Sequence, residues 1–144
     1  MMMRALLILA FFATILHAET DADRAWAQIE SFRQGPGEPA NDAPEEIVRT
    51  ARAHLFRQEA ALEDFLKRFP DDSRRFEAGI ELAGVDAALG ASLSDRQRME
   101  KSLQRLAAIE RSDAAPTKQR ADAAFQRITT TMQTVVLADA SRSG

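Results

Sequence analysis

The stretch LEDFLKRFPDDSRRFEAGIELAGV, Leu62–Val85, decides the fold. Leu62, Phe65 and Phe69 recur at three- and four-residue spacing, which puts them on one face of a helix. Pro70 cannot continue that helix, and Asp71, Asp72 and Ser73 supply turn and cap side chains. Phe76, Ile80 and Ala83 then take up the helical period again, with Leu82 and Val85 on an adjoining face. The result is a helical hairpin. One hairpin alone leaves an apolar side in water, so it has to be stacked on something.

Working outward, the first of these two helices reads back to Pro44 and forward to Phe69. Val48, Leu55, Leu62 and Phe69 repeat every seven residues, with Ala51, Gln58 and Phe65 between them, as a core-facing stripe in a bundle does. Pro44 suits a first helical turn, with Asp42 as a nearby cap and Glu45 and Glu46 favouring the helix dipole. The second helix, Ser73–Leu89, carries the small residues Gly79, Ala83, Gly84, Ala87 and Ala88. Glycine inside a helix costs ~1 kcal/mol against alanine, so Gly79 and Gly84 predict a neighbour at close approach, and Gly90 reads as the stop.

Beyond it, Ser92 and Asp95 form a capping-box pattern for a helix over Ser94–Glu110, with Met99, Leu103, Leu106 and Ile109 on its face. A further helix over Pro116–Ala138 carries Ala121, Phe125, Ile128, Met132 and Val135 as its apolar stripe, weakened by Thr129, Thr130 and Thr131. On the other side, Thr20 and Asp23 make a capping box before a first helix over Asp21–Gln34, striped by Ala22, Trp26, Ile29 and Phe32. GPGEPANDAP, Gly35–Pro44, then breaks the chain. No run of alternating β-branched and polar residues is long enough for a strand. The expected class is all-α, with about five helices and stacked hairpins.

The leading residues set the compartment. Arg4, the apolar run ALLILAFFATIL over Ala5–Leu16 and the exit at Ala18 match a secretory signal peptide. The run is shorter than the ~20 residues that span a bilayer, so the expected product is exported, periplasmic or secreted, without stable membrane insertion. The chain has no Cys, so its core must do without disulfides, and thiol catalysis and thiolate metal ligation are excluded from it. Its 19 basic and 22 acidic residues include no basic block, which disfavours nucleic acid as a partner. The organisation expected is therefore a signal at 1–18, an N-terminal helix and linker at 19–43, a two-hairpin domain at 44–138 and a flexible tail at 139–144.

The second hairpin can be laid over the first. Leu62 and Phe65 then correspond to Leu103 and Leu106, and Ala78, Leu82 and Val85 to Ala121, Phe125 and Ile128. FLKRFPDDSRRFEAGIELAGVDAALG, Phe65–Gly90, resembles the tetratricopeptide-like repeats of bacterial envelope proteins through Phe69, Pro70-Asp71, Ala78, Leu82 and Gly90. It departs from them in lacking the usual tyrosine of the second helix, and the second copy lacks Phe-Pro-Asp. The resemblance implies a tetratricopeptide-like stack whose work is binding protein or peptide. From Trp26-Ala-Gln-Ile-Glu onward the chain is also similar to the helical segment that precedes the thioredoxin-like domain of some exported redoxin proteins, where the cysteine pair belongs to the domain that follows.

Few residues offer chemistry. His54 is the only histidine after the leader and has no H-E-x-x-H spacing around it, so a boundary histidine is expected. Glu63-Asp64 and Asp71-Asp72 are neighbours in sequence, which on a helix do not face each other, and the second pair is explained by turn chemistry. No glycine-rich phosphate loop or G-x-S-x-G elbow is present. Arg74 and Arg75 oppose the dipole of the helix they open, and either pair with Asp71, Asp72 or Glu77 or face a partner's carboxylates.

The function expected is a non-catalytic adaptor without cofactor or metal, with Arg74, Arg75, Glu81 and Gly84 as the partner-binding residues. Two alternatives stand beside it: a helical accessory domain of an exported thioredoxin-like system, and a self-associating structural module forming a homo-oligomer.

Overall fold

A computed structural model describes the backbone of residues 19–142 and the side chains to residue 135. The expected signal peptide, at residues 1–18, lies outside the described residues, as does the end of the expected tail. The fold is all-α: α1 is Asp21–Phe32, α2 Pro44–Arg68, α3 Arg75–Leu93, α4 Arg96–Glu110 and α5 Thr117–Arg142. No strand occurs among the described residues, and none of their helices is long and apolar enough to cross a membrane.

Local chemistry sets the helix ends. Thr20 and Asp23 form the full capping box of α1, the hydroxyl accepting from the Asp23 amide while the Asp23 carboxylate accepts from the Thr20 amide. Pro44 opens α2 where its missing N–H costs nothing. Pro70 ends that helix one residue after the Phe69 cap, and the Asp72 carboxylate accepts from the Arg74 amide to start the next. Both ends at the α3–α4 junction differ from expectation. Gly90 does not stop α3, which runs on to Leu93 and turns out through Ser94 at φ 54°, a left-handed non-glycine residue. Asp95, not a Ser92–Asp95 box, caps α4 by accepting from the Gln97 and Arg98 amides, while the Ser92 hydroxyl receives Arg52. Gly90 is instead a contact residue: a Cβ there would lie 2.9 Å from Met99 and 3.0 Å from the Asp95 carbonyl.

The central element is α3, which packs against α2 on one side and α4 on the other. The first core cluster joins Trp26 and Ile29 of α1, Leu62 and Phe65 of α2, and Ala78, Leu82, Val85 and Leu89 of α3. Trp26 and Phe65 meet at 5.3 Å between ring centroids, and Phe65 and Phe69 at 5.4 Å. Each large side chain fully removed from water here contributes about 1.5–3 kcal/mol. The second cluster, Ala83, Leu106, Ile109, Ala115 and Ala123, is built mostly from small residues, and small residues let helices come close. Gly79 sits under Ile109 of α4 and Gly84 under Gln126 of α5, as the cost of helical glycine predicted.

The fifth helix overturns an expectation. Its packing face is Ala123 and Thr130, both buried, whereas Ala121, Phe125, Ile128, Met132 and Val135 lie exposed on the opposite side. The correspondence of Ala78, Leu82 and Val85 with Ala121, Phe125 and Ile128 therefore holds in sequence but not in packing: the first three are buried and the second three are not. The threonines are absorbed by back-bonding, Thr129 donating to the Phe125 carbonyl, Thr131 to Arg127 and Thr134 to Thr130. The helix continues past the expected end at Ala138 to Arg142.

Candidate protein-docking surfaces

The sequence-derived candidates do not form one site. Arg74 is a clamp between helices: its guanidinium donates to both Asp72 oxygens at 2.8 Å and to Asp23 of α1 at 3.0 Å, and lies over the rings of Trp26 and Phe65. The Arg74 side chain bonded to Asp72 holds that carboxyl down at about 2 against an ordinary 3.8. Glu81 is likewise engaged, bonded to Arg33 at the end of α1, which also meets Glu77 at 2.7 Å. Hydrogen bonds donated to Glu81 and then to Glu77 push the Arg33 guanidinium above its usual range. These pairs bind the first helix to the hairpin and compete with any partner for the same charges.

Arg75 differs from its neighbour. It stacks on Phe76 at 4.4 Å, makes no ion pair among the described residues, and lines a shallow groove of about 260 Å³ with Leu66, Pro70, Gly79, Arg105 and Ile109. Gly84 lies elsewhere, in a groove of about 760 Å³ between α3 and α5, beside Ala87, Ala88 and Ala91 on one wall and Gln126, Thr129 and Met132 on the other.

His54 is buried, with Nε2 3.1 Å from the Phe32 carbonyl and its ring edge-on to Phe32. It ties α1 to α2. Glu63 bonds Lys101, and Asp64 bonds Arg68 along its own helix, so these two neighbours face different partners. No group of three or more His, Asp or Glu side chains is placed to hold a metal among the described residues.

One buried charge has no signal in the sequence. Asp86 is wholly buried in α3 and faces three cations of α4: Arg98 at 3.4 Å, Lys101 at 3.6 Å and Arg105 at 3.9 Å. Glu59 of α2 takes Arg98 from the other side. Burial raises the Asp86 pKa more than these cations lower it. Its Oδ2 and the Nε of Arg105 have no hydrogen-bond partner among the described residues. The cluster links three helices and is closed from solvent on the Asp86 side, so it serves the fold.

The uncovered apolar surfaces lie at two places. At the start of α2, the Arg52–Ser92 contact falls one residue before α3 ends, so the turns before it project past their neighbour. Ile47 and Val48 are exposed there and Phe56 one turn further on, where it lies beneath Arg98. Pro44, Val48, Ala53 and Phe56 line an open groove of about 610 Å³ flanked by Arg49 and Arg52. The second place is the outer ridge of α5, where Phe125 is 75% exposed, Met132 64%, and Ile128 and Val135 55% each. Val48 was legible as part of a seam, but its exposure was not, because the sequence does not show where α3 stops. No family model matches the chain, and no curated protein or solved structure is matched either.

Proposed function

We propose that the chain is an exported, non-catalytic, tetratricopeptide-like helical module that binds another protein or peptide, and that the overhang of α2 is where the partner docks. The observation that carries this reading is the apolar groove of Pro44, Val48, Ala53 and Phe56, left open beside the end of α3 and bordered by Arg52, with Arg49 next to it paired to Glu46. Arg52 bonds only Ser92 among the described residues and keeps its charge unneutralised. An amphipathic segment with apolar anchors and a carboxylate at its edge matches that chemistry, in the manner of a helix laid in a groove. Arg75 remains a candidate for a second contact with the same partner. The leader at 1–18 supports export, and Phe65–Gly90 supports the repeat reading.

The test is capture by cross-linking in the exported fraction, with the protein in the form the cell accumulates as bait. A Val48→Glu, Phe56→Glu variant with unchanged helicity serves as control. One protein held by the wild type and lost by the variant is the expected result. Equal capture by both removes the α2 groove from the reading. A captured protein carrying Cys-x-x-Cys would instead support the accessory role in a thioredoxin-like system.

A further inference from the structure

We infer that the outward ridge of α5 pairs with the same ridge of a second copy, in an antiparallel helix–helix contact. The ridge does not belong to the groove proposed for the partner; it lies on the last helix, away from the α2 overhang. Its four large side chains leave roughly 500 Å² of mostly apolar surface in water, the upper range for the largest such patch on a monomer. That is more than half of the ~800 Å² per partner of a standard interface.

Two features select a second copy as the occupant. The first is neutrality. From Ala121 to Val135 the exposed positions are Ala121, Phe125, Ile128, Thr129, Thr131, Met132, Gln133 and Val135, none of them charged, and Arg127 is turned aside to Glu110 at 2.7 Å. Two identical ridges therefore meet without like charges, and a charged partner gains nothing there. The second is that projecting and receiving surfaces are adjacent on one molecule. The ridge has Phe125 and Met132, and the groove beside it has Gly84, Ala87, Ala88 and Ala91, with Met132 on the border of both. A two-fold contact uses each twice, as an isologous interface requires. Centring the crossing between Ile128 and Thr129 sets Phe125 of one copy opposite Met132 of the other, and packs large side chains of each over the small-residue wall of its mate.

Sedimentation velocity over a concentration series tests this on the protein in the form the cell accumulates, with circular dichroism as the folding control. The wild type is expected to move from monomer to dimer as concentration rises through the micromolar range. Phe125→Glu, at a position already in solvent, is expected to keep its helicity and to weaken dimerisation at least tenfold. Val48→Glu, on the α2 overhang, is expected to leave it unchanged. As a second readout, Thr129→Cys in the otherwise cysteine-free chain is expected to form a disulfide-linked dimer under mild oxidation, and Thr134→Cys, on the inner side, is not. A monomer at every concentration overturns the inference, and so does a dimer that Phe125→Glu leaves intact.

Discussion

Removing the Arg74 guanidinium should loosen the first helix and change the acid sensitivity of the fold. Arg74→Met keeps the apolar stem over Trp26 and Phe65 and deletes the charge. The Asp72 pair is the main loss, since both of its oxygens accept from Arg74 and the two side chains are only 15% and 24% exposed. A carboxyl held at about 2 instead of 3.8 corresponds to about 2.4 kcal/mol at neutral pH, but the Arg74 backbone N–H still donates to Asp72 in the variant, so the guanidinium accounts for roughly 1.5 kcal/mol after solvent screening. Stacking over the two rings adds about 0.5–1 kcal/mol, and the solvent-open Asp23 contact adds little. A total near 2 kcal/mol lowers Tm by about 8 °C in a domain of this size.

The sign with pH follows from the depressed pKa. Stability from the pair is complete above the unfolded carboxyl value of 3.8 and is lost as pH falls through about 2. By pH 2.5 the pair's share of the gap should shrink to about a third of its neutral value, while the share from stacking over the two rings stays. Thermal melts followed at 222 nm from pH 7 to 2.5 measure this. A neutral-pH difference under about 2 °C, or a gap that does not narrow in acid, would refute the clamp.

Three other perturbations separate packing from charge. Gly84→Ala brings a Cβ to 2.8 Å from the end of the Gln126 side chain, which can swing away, and alanine regains ~1 kcal/mol of helix propensity, so Tm should hold or rise. Gly90→Ala meets the Asp95 backbone carbonyl as well as Met99, and should cost about 1–3 kcal/mol by the same melts. Asp86→Asn removes an ionisation that burial disfavours. Because the folded pKa is raised, the wild-type advantage from Asp86 is present in acid and lost as pH rises through the folded value, so the variant should match or exceed wild type at pH 7. A loss of several kcal/mol in urea titration would show that the three cations outweigh burial.

The hairpin at Leu62–Val85 was legible because each of its signals is local: the apolar period, Pro70, and aspartates that cap the following turn. The Thr20–Asp23 box and the close approaches at Gly79 and Gly84 could be read for the same reason. What could not be read depends on neighbours. Gly90 carries the sequence signature of a stop, yet the space beside it is taken by Met99, and the helix ends four residues later at Ser94. The stripe of α5 gave its period correctly and its direction wrongly. Ala123 and Thr130 are small enough to sit against α3 and α4, and Arg127 reaches Glu110, so the side that looks less apolar is the side that packs. Periodicity tells which residues share a face, and only the neighbours decide which face is covered.

The same absence of cysteine allows the orientation of α5 to be measured directly. Single cysteines at positions 123, 125, 128, 130 and 132 would be labelled with a maleimide at low concentration under native conditions. Positions 125, 128 and 132 are expected to react at the rate of an unfolded control, and 123 and 130 to be protected. As concentration rises, protection should spread to 125, 128 and 132 while 123 and 130 stay as they were. Fast labelling at 123 and 130 with protection at 125, 128 and 132 in the dilute protein would mean that the apolar stripe faces the core, and would contradict the outward docking ridge.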